Sequence, residues 1–227
     1  MVHATVAPTN AVVMGDTVVF EDEVDAAMDA AFAHGLSVTA LHNHFFYDEP
    51  KVYFMHIYGH GPAVELASAV KAIWDAIKVV RAANAAPAKF FAGPTPIATG
   101  KIDATRIEDI TGLPASTKSG GVVKISIGRI ASMRGTEVGA SMGLTTWAAF
   151  SGSDELAVMD GDFIMTATEV QPVLKAMRAE NVHIVALHNH MMNEQPAYYF
   201  THFWGKATVA ELAEAFKAVL RAQENVP

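Results

Sequence analysis

The chain contains two copies of one sequence unit, and this duplication constrains the fold more than any other feature. Shifted by 146 positions, residues 11–76 align with residues 157–222 without a gap. The longest identical run is Ala40-Leu41-His42-Asn43-His44, which matches Ala186-Leu187-His188-Asn189-His190. A repeat of this kind predicts that both copies fold as the same supersecondary unit, so one order of strands and helices has to serve both.

The hydrophobic pattern within each copy predicts the order β-α-β-β-α. Val-rich or alternating runs indicate strands, and apolar residues spaced three and four positions apart indicate helices. In the first copy the predicted elements are Ala11–Phe20, Glu21–His34, Leu36–Phe46, Val52–Tyr58 and Pro62–Ala82. In the second copy they are Leu156–Thr166, Glu169–Glu180, Val182–Met192, Ala197–Trp204 and Val209–Ala222. We therefore predict an α+β fold with a mainly antiparallel sheet and helices packed on it.

The repeat also predicts the domain boundaries. Residues 1–82 form the first repeat, 83–120 a linker with one short helix at Asp103–Thr111, and 121–227 the second repeat. The second repeat has extra strands before the matching region, at Val122–Ile130 and Leu144–Phe150. Since Met1 aligns with Trp147, the first repeat is expected to lack this N-terminal part, and Met1 need not be the natural start.

The composition narrows the classes of partner and site. Hydrophobic residues make up 51% of the chain and charged residues 18%, which is enough apolar material for a packed core. The formal net charge of −8, without any basic run, argues against a nucleic-acid partner. The absence of cysteine excludes disulfides and cysteine-bound metals. The sequence shows neither a membrane-length apolar run nor a signal-peptide pattern, so the localisation stays open.

Three histidines in each copy form the strongest candidate site. Because side chains alternate along a strand, His42 and His44 point to one face and Asn43 to the other. A hairpin in which position 42 faces position 56 adds His56 to that face, at the cross-strand spacing that imidazoles need to share one metal ion. The predicted metal ligands are His42, His44 and His56 in the first copy and His188, His190 and His202 in the second.

The alternative interpretation is that these histidines are ordinary residues of a half-buried sheet face. Recurrence of the whole trio, while apolar neighbours such as Phe45 and Met191 differ between copies, favours a metal site. Imidazoles suit zinc, copper, iron or nickel, of which we take zinc as the first candidate. A carboxylate could complete the coordination: Asp48 or Glu49 in the first copy, or Glu194 in the second, although each also fits a solvated turn.

A few further residues are candidates for a pocket or for support of the histidines. Tyr58 and Trp204 share the predicted face of His56 and His202, so they either wall a pocket or simply pack. Asn43 and Asn189 lie on the opposite face, where anchoring a loop is the simpler role. Asp16 and Asp162 follow glycines and are predicted to be turn residues.

The histidine motifs resemble a known family. The stretches Ala40-Leu41-His42-Asn43-His44 with Met55-His56, and their counterparts through Thr201-His202-Phe203-Trp204, are similar to the duplicated LppY/LpqO-type bacterial proteins, a domain of unknown function. Gly161-Asp162 and Trp147-Ala148-Ala149-Phe150 fit the same pattern. The resemblance covers most of the chain and implies an exported protein or lipoprotein, but it brings no established activity.

Three classes of function remain after these steps. The leading hypothesis is a metal-dependent enzyme, most simply a hydrolase that acts on a small molecule through water activated by a His-bound ion. The alternative is a non-catalytic metal or small-ligand binding protein. A third is an interaction protein without metal, in which aromatic strands such as Tyr198-Tyr199-Phe200 serve a homo-oligomer interface. Whether the two histidine trios make one site or two is left open by the sequence.

Overall fold

The computed structural model describes residues 2–5, 11–44, 49–88 and 100–226. The chain forms two compact units, residues 1–92 and 93–227, which we call unit 1 and unit 2. Asp48, one of the predicted carboxylates, lies outside the described residues. None of the helices in the described ranges is both long enough and apolar enough to cross a membrane.

Unit 1 is a four-stranded antiparallel sheet with two helices. Its elements are β1 (Val2–Thr5), β2 (Ala11–Phe20), α1 (Val24–Ala33), β3 (Ser37–His42), β4 (Val52–Gly61) and α2 (Ala63–Ala83). Within the unit the strand order is β1-β2-β4-β3. This is the β-α-β-β-α order of the repeat with one added edge strand.

The two faces of the unit 1 sheet differ in burial. Val13, Val19, Met55 and Ile57 are almost fully buried on the face that carries α1 and α2. The intervening side chains point the other way, and Met14 is 59% exposed. We call this second surface of the sheet the open face. His42 on β3 and His56 on β4 lie on it.

Unit 2 repeats this plan and adds elements before it. Its elements are α3 (Ala104–Thr111), β5 (Ala115–Thr117), β6 (Val123–Gly128), β7 (Ala131–Met133), β8 (Thr136–Val138), β9 (Thr145–Gly152), β10 (Ala157–Met165), α4 (Ala167–Ala179), β11 (His183–His188), β12 (Glu194–Gln195), β13 (Tyr199–Ala207) and α5 (Val209–Glu224). The main sheet of the unit has the order β11-β13-β10-β9-β6-β5, and β12-β7-β8 form a small separate sheet.

The small sheet covers one end of the open face of unit 2. Ile164 on β10 and Phe200 on β13 lie opposite each other on that face and are fully buried. They pack with Leu144, Ala131 and Val138, of which the last two belong to the small sheet. Asp162 and His202 form the next pair on the open face of the same two strands, outside this apolar cluster.

Equivalent glutamates fix the start of the first helix of each repeat, α1 in unit 1 and α4 in unit 2. Glu169 accepts a hydrogen bond from the Thr166 backbone amide (2.8 Å) and pairs with the two terminal guanidinium nitrogens of Arg129 (2.8 and 2.9 Å). Glu23 likewise accepts from the Phe20 amide (2.8 Å) and pairs with Arg81 (2.7 Å). Each carboxylate therefore caps orphan amides and neutralises a cation at once.

The predicted α+β class, the internal duplication and the mainly antiparallel sheet are confirmed. Three details differ from the sequence predictions. The short helix predicted in the 83–120 linker exists as α3, but it packs on α5 as part of unit 2. Asp16 and Asp162 are in the middle of β2 and β10, so their assignment to turns is wrong. Phe200 is buried within unit 2, which removes it from the suggested aromatic interface.

Candidate metal centre

Strand pairing brings an aspartate and three histidines together on the open face of unit 2. Asp162 on β10 lies directly opposite His202 on β13. On the other side of β13, a bulge between Ile184 and Ala186 sets the register so that Ala186 faces His202 and His188 faces Phe200. His188 is therefore diagonal to His202. In unit 1, likewise, His42 lies opposite Phe54, two residues from its predicted partner His56. A shift of two residues keeps the histidines on one face.

The nitrogen and oxygen atoms of this cluster are close enough to act on one ion. Donor atoms of Asp162, His188 and His190 all lie within 4.8 Å of one another. His190 Nε2 is 3.3 Å from Asp162 Oδ2, and the His188 and His190 rings stack with centroids 5.0 Å apart. His190 also stacks on Phe200 at 3.6 Å, so the buried end of the open face supports its ring.

Two buried atoms of the cluster lack a hydrogen-bond partner among the described residues. They are Oδ1 of Asp162, a residue only 4% exposed, and Nε2 of His188. Leaving such a group unsatisfied costs about 1–3 kcal/mol, and more when the group is charged. Two buried polar atoms of one cluster that both lack a hydrogen-bond partner are typical of a site that holds a ligand.

The environment of His188 favours its neutral form. Burial lowers the pKa of His188 below its usual value, and the carboxylate of Asp162 only partly opposes this effect. A hydrogen bond to the backbone of Asn189 involves the other side of the ring. When Nδ1 carries the proton of that bond, the lone pair of Nε2 points into the cluster, which is the form that binds a metal.

His202 lies beside the group of three. Its Nδ1 is 3.2 Å from the Gly161 carbonyl oxygen and 3.9 Å from Asp162 Oδ1. Donation from Nδ1 to the carbonyl leaves Nε2 unprotonated in the neutral ring. The centroid of its ring is 4.7 Å from that of His188.

Unit 1 contains the same arrangement of ring systems. His42 Nε2 is 3.0 Å from His56 Nε2, and the His42 and His44 rings stack at 5.0 Å. His44 stacks on Phe54 at 3.7 Å, as His190 does on Phe200. Asp16 lies opposite His56 across β2 and β4, in the position of Asp162. Both units thus bring the predicted trio together and add an aspartate to it.

The other predicted residues have different surroundings. Glu49 is exposed, and Asn43 is exposed at the end of β3. Asn189 donates from its side chain to the Met191 carbonyl (3.0 Å), which stabilises the loop after β11. Glu194 is not a solvated turn residue: it is 2% exposed in the small sheet, where Oε1 accepts from the Tyr198 amide (2.9 Å). Tyr58 and Trp204 do share the open face with His56 and His202, at 41% exposure for Tyr58.

The two aspartates are the site residues that the sequence interpretation missed. A signal for them existed, because Gly15-Asp16 and Gly161-Asp162 match under the 146-residue shift and Asp16 falls inside the predicted strand Ala11–Phe20. An acid repeated at the same point of two predicted strands points to the sheet surface more than to a turn.

The family model for a Domain of Unknown Function (DUF1259) matches residues 2–76 and 105–222, and the chain belongs to this family. A search of curated proteins gave no match. The similar solved structures include the trimeric bacterial microcompartment shell protein PduB, at 10% identity and a TM-score of 0.24, covering 97% of this chain and 79% of that one. Another is the double-ringed trimeric shell protein MSM0271 from the RMM microcompartment, at 13% identity and a TM-score of 0.23, covering 96% and 84%. TM-scores this low transfer neither fold nor function, and the LppY/LpqO resemblance stays a prediction.

Proposed function

We propose that this protein binds a divalent transition metal on the open face of unit 2, through Asp162, His188 and His190. The observation that carries the proposal is the convergence of three donor residues within 4.8 Å, two of which have buried donor atoms without a hydrogen-bond partner in the part of the chain that the structure describes. His202 is the candidate for a further donor, because its ring centroid is 4.7 Å from that of His188 and its Nδ1 is 3.9 Å from Asp162 Oδ1.

The donor set favours zinc and related ions. Donors around one tetrahedral zinc lie about 3.4 Å apart, so the cluster has only to contract slightly to close on the ion. Imidazole nitrogen with one carboxylate oxygen suits zinc, iron, copper or nickel, whereas calcium and magnesium prefer an all-oxygen shell. A neutral His188 loses no proton on binding, which favours uptake near neutral pH.

Unit 1 is the second part of the proposal. Its donors are His42, His44, His56 and Asp16, and the 3.0 Å separation of two imidazole nitrogens is compatible with two ligands of one ion. Each unit brings its own trio together, so we propose one metal site per unit.

Exposure of the site favours a metal-dependent hydrolase of small molecules over a purely structural ion. His190 and His202 are exposed, so water can reach a metal held between them and the buried Asp162. A metal with an open position lowers the pKa of bound water and supplies a nucleophile at neutral pH. A non-catalytic metal or small-ligand binding protein is the alternative, and it would show metal without turnover.

The test is a metal count by mass spectrometry on untagged protein purified without chelators. We expect about two equivalents per chain in the wild type and about one in His188→Ala. His183→Ala is the matched control, because His183 is on the same strand β11 but outside the group of three. Absence of metal in the wild type, before and after reconstitution, would refute the proposal.

A further inference from the structure

The strand register places a second set of polar and aromatic residues beside the candidate metal centre. Across strands β6, β9, β10 and β13, one row of the open face reads Ser126, Trp147, Asp162 and His202. The adjacent row reads Lys124, Ala149, Asp160 and Trp204. Neighbouring positions in a row are roughly 5 Å apart, and the two rows are separated by roughly 7 Å. The second row is therefore one side-chain length from Asp162.

Ala149 is the smallest residue of the second row. It lies between Lys124 on one side and Asp160 on the other. Trp204 follows Asp160 in the row, with the ring of His183 6.3 Å from its own, and Trp147 lies on the side toward the metal centre. Both indoles are half-buried, so each presents ring surface to solvent.

The residues on the two sides of Ala149 carry opposite charges. The Lys124 ammonium lies 4.0 Å from the centre of the Trp147 ring, a cation–π contact that stabilises its position. Asp160 is exposed on the opposite side. A ligand between them meets one cationic donor, one anionic acceptor and an indole platform, which disfavours a strongly charged molecule and suits one that both donates and accepts hydrogen bonds.

We propose that this surface binds a neutral polyhydroxylated ring, such as a pyranose sugar. The apolar C–H face of the ring packs on Trp204, hydroxyl groups donate to Asp160, and Lys124 donates to a ring hydroxyl. The proposal deepens the proposed function, on which it rests for one contact: a hydroxyl at the near end of the ring reaches the ion held by Asp162, His188 and His190. The surface thus assigns a substrate class to that centre.

Unit 1 lacks the acid and the indole of this surface. Positions equivalent to Asp160 and Trp204 are Met14 and Tyr58, and Met14 is largely exposed. The sugar site is therefore a property of unit 2, whereas the metal donors recur in both units.

The experiment is a tryptophan-fluorescence titration of zinc-loaded protein with D-glucose, D-galactose, D-mannose and D-xylose, with benzoate as a planar anionic comparison. The chain has three tryptophans, and Trp74→Phe removes the one in unit 1 as the background for all variants. We expect a saturable signal with at least one pyranose, weakened about tenfold or more by Trp204→Ala and by Asp160→Asn. Lys124→Met should weaken it by a smaller factor.

The outcomes separate this proposal from the metal proposal. Zinc binding with no response to any pyranose, or the same response in Trp204→Ala, overturns the sugar site and leaves the metal site standing. Binding of benzoate in place of the sugars also overturns it. A sugar response in wild-type protein that binds no zinc supports the surface and refutes the metal centre.

Discussion

Units 1 and 2 keep the same donor residues but surround them differently. Asp16, His42, His44 and His56 correspond one to one with Asp162, His188, His190 and His202, and a phenylalanine stacks under the second histidine in both. Asp162 is nearly fully buried, whereas Asp16 is half-buried. The small sheet that covers Phe200 is built partly from residues 131–138, a stretch outside the aligned repeat.

This comparison distinguishes the residues that both copies of the candidate site share from the surrounding residues that differ between the units. The shared feature is the proposed donor set, whereas the neighbouring row differs: Met14 and Tyr58 of unit 1 correspond to Asp160 and Trp204 of unit 2. Deeper burial strengthens the electrostatic attraction between carboxylate and cation and excludes competing water. We therefore expect unit 2 to bind metal more tightly than unit 1.

Removal of His188 should produce the largest change in the zinc affinity of unit 2 relative to unit 1. His188→Ala deletes a buried donor, and we expect the affinity of unit 2 for zinc to fall at least about a hundredfold while unit 1 is unchanged. Competition with a chromophoric chelator measures both sites in one titration. His183→Ala provides the control, and an equal loss in that variant would show that the effect is not one of coordination.

Neutralising the aspartates tests whether burial makes the two sites unequal. Asp162→Asn and Asp16→Asn keep the shape of the side chain but remove its charge, so each should weaken its own site by about ten- to a hundredfold. We expect the loss to be greater for Asp162→Asn, because its carboxylate is the more buried. Equal losses in the same chelator competition would contradict the ranking of the two units.

The capping glutamates test whether the units resemble each other in stability as well. Glu169→Gln weakens the pairing with Arg129, and Glu23→Gln weakens the pairing with Arg81. Each change should lower the free energy of unfolding by about 1–3 kcal/mol, as measured by urea denaturation of metal-free protein. Glu214→Gln, the same change at an exposed position of α5, is the control and should lie near zero. If either glutamate variant lost as little free energy of unfolding as this control, the two glutamates would not stabilise their units equally.

The pH dependence of metal-free protein should show the smallest effect. Burial lowers the pKa of His188 in the folded state, so the unfolded chain binds more protons than the folded chain as the pH falls below about 6.5. His188 therefore contributes to stability fully above its unfolded pKa, and this contribution is lost as the pH falls toward the folded pKa. His188→Gln should flatten the decline in thermal denaturation scans between pH 7 and pH 5. An unchanged slope would contradict the assignment.

The parts of the fold that follow from periodicity were predictable from sequence. The strand Ala11–Phe20 has the predicted bounds, and alternation along β3 and β4 put the three histidines on one face. The register differs by two residues from the prediction, because His42 pairs with Phe54 where a hairpin centred on Glu49 pairs it with His56. A bulge between Val38 and Ala40 then changes the pairing by one further residue, and nothing in the local sequence marks it.

Physical reasons also explain why other features could not be predicted from the sequence. β7, β8 and β12 contain two or three residues each, too few for alternation to be recognised, so the small sheet and the burial of Glu194 went unseen. The Gly-Asp pair predicts a turn at Asp162 because it favours turns locally, but tertiary packing overrides that preference in β10. The proposed sugar surface depends on pairing across four strands, which only the assembled sheet defines.

The most direct test of the central claim is a crystal of the zinc-loaded protein with an anomalous difference map at the zinc absorption edge. We expect a peak about 2.0–2.2 Å from donor atoms of Asp162, His188 and His190, and a weaker one among the equivalent residues of unit 1. A zinc peak only at other surface residues, with the Asp162 and His188 atoms still unliganded, would contradict the claim.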